Sequence, residues 1–278
     1  MQTDKFSFLT KMKIIQITIL LSLIISTTNL SSLAEITKAI LYPPPNEKKY
    51  EYIYKDKSPV DLIFYFQGCG CNEEVFFKTY RLGGLDLGKK QYRKNLVFVS
   101  FKNAPINHWS SPDATKETIK WIKLIEAKFN TRKVMLIGIS MGGALALNVL
   151  SLADNNLQKK ISNVIVVFPI VDYKYTLNHT KNKVIKESIK THIFKSKDPI
   201  DFMKQSSPIS YISKIPDLTK ITLVEGKLDM DICSYPIEKY FKLLKNKNKD
   251  IELITWNTGH YIEQVSSKYE KLIKSFLN

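Results

Sequence analysis

The stretch KVMLIGISMGGALALNVL, residues 133–150, passes from aliphatic residues suited to a buried strand into a serine set among three glycines, then into small and leucine-rich positions. A strand that enters a helix without a longer polar loop needs a turn so tight that most side chains would block it. Ser140 sits on that turn, with Gly138 before it and Gly142 and Gly143 after it. A G-x-S-x-G at a strand-to-helix junction stands its hydroxyl above the sheet edge, with the positive end of the following helix directed at it. The stretch therefore predicts a strand over 133–139, a helix over 141–152 and a nucleophile, Ser140, between them. The plain competitor is a glycine-rich structural turn.

Similar apolar runs lie on either side: residues 50–55, 60–66, 95–101, 163–170, 220–226 and 250–256. Most are β-branched or aromatic and apolar on both faces, as in central strands of a parallel sheet covered on each side. Helical patterns alternate with them. Ser111-Pro112-Asp113 reads as a helix start, and Ile119, Ile122, Ile125 and Phe129 follow at helical spacing. Residues 236–244 and 261–277 read as two more helices. The expected fold class is α/β, a doubly wound, mostly parallel sheet with helices on both faces. Residues 171–213, after the strand ending near Ile170, break the alternation with eight lysines and no clear strand, and are expected to form a cap or lid insertion.

The chain has 278 residues, 44% hydrophobic and 24% charged, which suits one α/β domain and excludes a disordered or multi-span membrane protein. Lys5, Lys11 and Lys13 precede a 13-residue apolar run over 14–26, and a polar stretch ends in Ser32-Leu33-Ala34. These are marks of a secretory signal peptide over 1–34, leaving a single domain over 35–278. The expectation is a secreted or periplasmic protein, membrane-anchored where the segment stays uncleaved; the run is shorter than the ~20 residues a spanning helix needs. Net charge is +16, and +14 once residues 1–34, with three lysines and one aspartate, are removed. Such a balance would draw the chain to an anionic envelope or membrane surface. The lysines are scattered, with no dense basic block or zinc-finger spacing, so no nucleic acid partner is expected.

Cys69, Cys71 and Cys233 give an odd count. A bridge between Cys69 and Cys71 would be strained, so any disulfide is expected to involve Cys233, against the alternative of three unpaired thiols. No Cys/His spacing fits a metal site, and no cofactor is expected.

In an open parallel sheet, ligands bind beyond the C-terminal strand ends, and the loops there carry the remaining candidates. A serine hydroxyl needs an imidazole to take its proton. Of His108, His179, His192 and His260, only His260 follows the last predicted strand and completes a Ser…Asp…His order. An acid must hold that imidazole. Asp229, three residues past Gly226, is preferred, with Asp231 in reserve and Asp172 more distant; either loop aspartate would also serve as a helix cap. Oxyanion donors are expected from the backbone N–H of Met141 and from Cys69, or Gly70, in the loop FQGCGCNEE.

From about Val60 to Asn278 the chain resembles the α/β-hydrolase superfamily, through FQGCG, GISMGG, SPISYISKIPDLTKITLVEGKLD and TGHY. The first two, with DATKETIKWI between them, are similar to secreted esterases of the feruloyl esterase, polyhydroxybutyrate depolymerase-like and dienelactone hydrolase-like groups. The resemblance implies a serine esterase without metal or organic cofactor, acting on small-molecule or polymer carboxylic esters. Gln67 stands where those groups usually have histidine. Two alternatives remain: a peptidase or acyltransferase using the same residues, and a non-catalytic binding protein on a hydrolase scaffold. The basic insertion suggests an acidic substrate such as a modified polysaccharide.

Overall fold

Strands form where the apolar runs lie, because a strand buried on both faces needs mostly apolar side chains. A computed structural model describes residues 39–42 (backbone only), 58–71, 95–101, 108–193, 195–232, 234–247 and 250–277. The strands are β1 (Ala39–Tyr42), β2 (Val60–Phe66), β3 (Leu96–Phe101), β4 (Thr131–Ile139), β5 (Ile161–Val167), β6 (Lys220–Gly226) and β7 (Ile251–Trp256). They pair in the order β1-β3-β2-β4-β5-β6-β7, and only β1 runs antiparallel to its neighbour. Every residue of β2 and β3 is buried, whereas β7 lies at the edge and is only partly covered.

The helices are α1 (Pro112–Glu126), α2 (Met141–Leu152), α3 (Asn155–Lys160), α4 (Tyr173–His179), α5 (Lys183–Ile193), α6 (Pro199–Ser206), α7 (Ser234–Lys245) and α8 (Ser266–Leu277). Short 3-10 helices span Pro208–Lys214 and Ile262–Val265. The Ser111 side chain caps α1 by accepting the Ala114 N–H, and Pro112 fills the first turn, where its missing N–H costs nothing. Alternation along the strands divides the core in two. Leu62, Phe64, Leu136 and Val166 face α1, α2 and α7, while Ile63, Tyr65, Ile137 and Val167 face α8. The fold is the expected doubly wound α/β arrangement with helices on both faces.

Several boundaries differ from expectation for local reasons. Strand β5 ends at Val167 because Phe168 adopts φ +49 and turns the chain over α2. The last helical segment is divided, a 3-10 turn preceding α8. Strand β1 and the six-residue α3 are too short to carry a period, and neither is expected from the sequence. The expected strand over 50–55 and the signal peptide lie outside the described residues. Among the described residues, no helix is long and apolar enough to cross a membrane.

The basic insertion is helical and fixed to the core. Ile185, Ile189 and Ile193 of α5 join Trp109, Met141, Ile170 and Tyr173 in a third apolar cluster. Burying such side chains contributes about 1.5–3 kcal/mol each, against about 0.5–1.5 kcal/mol for a typical hydrogen bond, so the apolar seam holds the cap and the polar contacts set its position. Those contacts centre on Ser110, which with Trp109 sits at φ +45, a left-handed conformation that non-glycine residues rarely take. Surrounding bonds compensate. The Ser110 hydroxyl donates to Ser206 O at 3.0 Å and accepts from Tyr173 Oη at 2.9 Å, while Asn148 Nδ2 donates to Ser206 O at 2.9 Å. Asn148→Ala removes that last donor from a buried site, and urea denaturation should show a loss of about 1–3 kcal/mol; an unchanged midpoint would mean that the anchor carries no stability.

Candidate active site

The sheet order makes the cleft. After β2 the chain moves to β3 on one side, and after β4 it moves to β5 on the other, so the loops leaving these adjacent strands diverge. The register keeps their ends level, pairing Phe66 with Gly138 and Ile139 with Val167. Ser140 lies at that divergence with φ +54 and ψ −119. Its N–H donates to Val167 O at 2.9 Å, and its carbonyl accepts from Gly143 N–H at 3.0 Å and from Ile170 N–H at 3.3 Å. The residue is thus fixed from both neighbouring connections despite its strained backbone.

The flanking glycines are required by contact. A Cβ on Gly138 would lie 2.7 Å from Gly143 Cα, and one on Gly142 would lie 2.5 Å from Gln67 O. These obstacles are backbone atoms, which cannot rotate away. The same closeness seats the β2 loop beside the serine, since a Cβ on Gly68 would be 3.6 Å from Ser140 Cβ. Gln67, the departure from the usual histidine, is buried in this junction.

Three residues far apart in sequence meet here. His260 Nε2 lies 2.9 Å from Ser140 Oγ, and His260 Nδ1 lies 2.7 Å from Asp229 Oδ2. An ionised carboxylate only accepts, so Nδ1 carries the proton and Nε2 is left to accept from the serine hydroxyl. The other carboxylate oxygen, Asp229 Oδ1, accepts the N–H groups of Asp231 at 2.9 Å and Ile232 at 3.0 Å. Asp229 therefore organises its own loop and orients the imidazole. Asp231, the reserve candidate, instead accepts from Asn182 Nδ2 at 3.2 Å, and Asp172 caps α4 through Tyr175 N–H at 2.9 Å.

The other histidines lie elsewhere. His108 is buried, accepts the Ser110 N–H on Nδ1, and has its pKa lowered to about 3, first by burial and then by His192. His179 stacks on Tyr175, and His192 sits on α5 facing Ser188 O. Of the oxyanion candidates, Met141 opens α2, where first-turn N–H groups have no intrahelical acceptor, and Cys69 lines the cavity beside Ser140. Cys69 and Cys71 are not joined by a disulfide, and burial raises both thiol pKa values. The expected pairing with Cys233 falls outside the described residues.

Sequence reasoning missed two supports. Phe168 lies edge-on to Trp256 at 5.9 Å and holds its ring 5.6 Å from the His260 ring. Thr258 Oγ1 donates to Gln264 Oε1 at 2.7 Å, tying the histidine loop to the turn before α8. The positive φ that aims Phe168 under the imidazole has no motif of its own.

A cavity of about 340 Å³ opens at Ser140 and His260. Asn182, Val184 and Ile185 of the insertion form part of its wall. Among the described residues its lining includes Asp231 and Glu263 but no lysine or arginine. The insertion's positive charge is not presented at this wall. Among the described residues, no cluster of side chains fits a metal ion.

An α/β sheet with a serine elbow at its switch point, an imidazole in contact with that serine and a cavity beside them fits a hydrolase architecture. Residues 90–259 match the family described as alpha/beta hydrolase fold, and the chain belongs to that family. Among solved structures it is similar to the Pyrococcus furiosus esterase Pf2001, at 15% identity with 80% of this chain and 84% of that one covered and a TM-score of 0.55. It is also similar to the Thermogutta terrifontis esterase Est2 (15% identity, 86% of each chain, TM-score 0.54). A Mycobacterium tuberculosis puromycin-hydrolyzing peptidase is a third (13% identity, 86% of this chain and 36% of that one, TM-score 0.59). At such identities the likeness is one of fold. No curated protein matches the sequence.

Gly142→Ala forces a methyl group against the Phe66 and Gln67 carbonyls. Overpacking of this kind costs about 1–3 kcal/mol, and displacement of the β2 loop should slow labelling of Ser140 by a fluorophosphonate in the folded fraction. Wild-type labelling and stability in this variant would contradict the packing argument.

Proposed function

We propose that the protein is a serine hydrolase that cleaves carboxylic esters through a covalent acyl-enzyme. The observation that carries this reading is the continuous hydrogen-bonded path from Asp229 through His260 to Ser140, at 2.7 and 2.9 Å, which ends in a cavity lined by His260 and Ser140. Ser140 Oγ attacks the ester carbonyl carbon while His260 Nε2 takes its proton, and the Asp229 carboxylate stabilises the resulting imidazolium. The carbonyl oxygen becomes an oxyanion facing the backbone N–H groups of Met141 and Cys69. His260 then returns the proton to the leaving alkoxide as the carbon–oxygen bond breaks. A water activated by the same imidazole releases the acid and restores Ser140.

The cavity is at the small end of the roughly 300–1,000 Å³ of ligand sites, which favours a compact acyl group. A second reading, a peptidase with the same residues, draws support from the peptidases among the similar folds and from the Asp231 and Glu263 carboxylates in the lining, which suit a substrate amine. Rates on a short-chain p-nitrophenyl ester and an aminoacyl p-nitroanilide separate the two.

Ser140→Ala should abolish ester turnover and fluorophosphonate labelling while leaving the thermal transition in place. Asp229→Asn should lower kcat by about 10⁴-fold, because the amide no longer imposes the imidazole tautomer. Asp231→Asn should retain most of kcat, since its carboxylate bonds Asn182 and not His260. Equal losses at positions 229 and 231 would remove the basis for assigning the acid.

A further inference from the structure

Two cysteines line the cavity, and the ester mechanism uses neither side chain. Cys69 and Cys71 both line the cavity that contains Ser140 and His260. They are separated by Gly70, whose φ of +77 belongs to a tight turn closed by the Cys71 N–H bond to Gly68 O at 3.3 Å. Two Cα steps of about 3.8 Å, folded at Gly70, keep the cysteine Cα atoms within about 7.6 Å of each other, and turn curvature brings them toward the ~4.4–6.8 Å span of disulfides. Among the described residues, no heavy atom outside the neighbouring ones lies within 4 Å of the position a Gly70 Cβ would take.

We propose that Cys69-Gly70-Cys71 is a reversible dithiol modification site for small disulfide oxidants, and that its oxidation switches off the adjacent hydrolase site. The second half rests on the function proposed above. In the first step a thiolate displaces one thiol from the oxidant RSSR, forming a mixed disulfide and releasing one RSH. The second cysteine then attacks the protein-side sulfur, releasing the second RSH; the pair is oxidised, one RSSR is reduced to two RSH, and two thiol protons are transferred to them. Either thiol can make the first attack: burial raises both pKa values, and the Ser188 side chain beside Cys69 acts in the opposite direction.

The consequence follows from position. Gly68 packs beside Ser140, and Cys69 supplies one of the proposed oxyanion donors, so closing a strained ring through this turn re-aims that N–H. Strained disulfides are oxidising and readily reduced, which makes the modification reversible.

Glutathione disulfide applied to the full chain tests this. Both cysteines fall on one tryptic peptide, residues 58–78, and Cys233 falls on another. Oxidation should leave the 58–78 peptide two hydrogens lighter, without a glutathione adduct and closed to alkylation, and ester turnover should fall by about 10²-fold, the cost of losing an oxyanion donor. Dithiothreitol should restore both. In the Cys69→Ser/Cys71→Ser double variant, the ratio of oxidised to reduced activity should stay near one. A peptide that keeps two alkylatable thiols, or ends only as a glutathione adduct, overturns the internal bond. A bond that forms without loss of turnover overturns the switch. Were the reduced protein to hydrolyse no ester and take no fluorophosphonate, the function reading would fail with the switch, while the peptide mass would still decide whether the dithiol closes.

Discussion

The strained backbone at Ser140 is the constraint on which the remaining architecture depends. A serine at φ +54 is unfavourable by itself, and it persists because packing leaves the chain no other path. Gly138 and Gly143 pass within contact of one another, Gly142 lies against the β2 carbonyls, and Gly143 lies against Pro169. These close approaches bring β2, β4, β5 and α2 together at one point, the backbone of Ser140. They also explain why α2 is buried along its length from Met141 to Ser151: sheet lies beneath it and the anchored insertion lies over its start.

A second close approach positions the imidazole. A Cβ on Gly226 would meet the carbonyls of Thr258 and Gly259 at 2.8 Å, so glycine is needed where the acid loop crosses the histidine loop. Backbone bonds Lys227 N–H to Trp256 O at 2.8 Å and Leu228 N–H to Thr258 O at 2.9 Å zip the two loops together beyond the paired strands. The distance from Asp229 to His260 is therefore set by main chain and only secondarily by the attraction of the side chains. Phe168 closes the arrangement from below.

Much of this was legible in the sequence because it is periodic or local. Strands β2 and β6 follow the apolar runs residue for residue, and the Gly138–Gly142 spacing identifies the elbow because the steric demand is confined to five positions. His260 and Asp229 could be ranked by their place after β7 and β6, since parallel strands deliver their following loops to one edge. The choice between Asp229 and Asp231 turns on side-chain direction within a two-residue turn, which no period encodes. The same holds for Phe168, whose left-handed backbone is marked by no motif. Charge is a coarser signal: lysine content describes the insertion as a whole, whereas among the described residues the cavity wall takes Asn182, Val184 and Ile185 from it.

The anchored insertion also bears on how a substrate reaches the serine. Its apolar seam and the bonds around Ser110 join it to α2 and to the segment before α1, so the described cavity is formed in this state and needs no closure to acquire walls. Its entrance is flanked by apolar side chains left in water: Val184 is 76% exposed and Tyr261 51% exposed. Deeper in, Ile139, Ile185 and Ile262 provide apolar surface beside the reacting hydroxyl, while the Asn182–Asp231 pair provides a polar contact at the wall. On the function proposed above, an acyl group entering here would gain burial against the isoleucines, and discrimination among substrates would fall to the few polar atoms that a wrong partner would leave without a hydrogen bond. On that proposal, selectivity would be concentrated where the loop after β6 meets the start of α5.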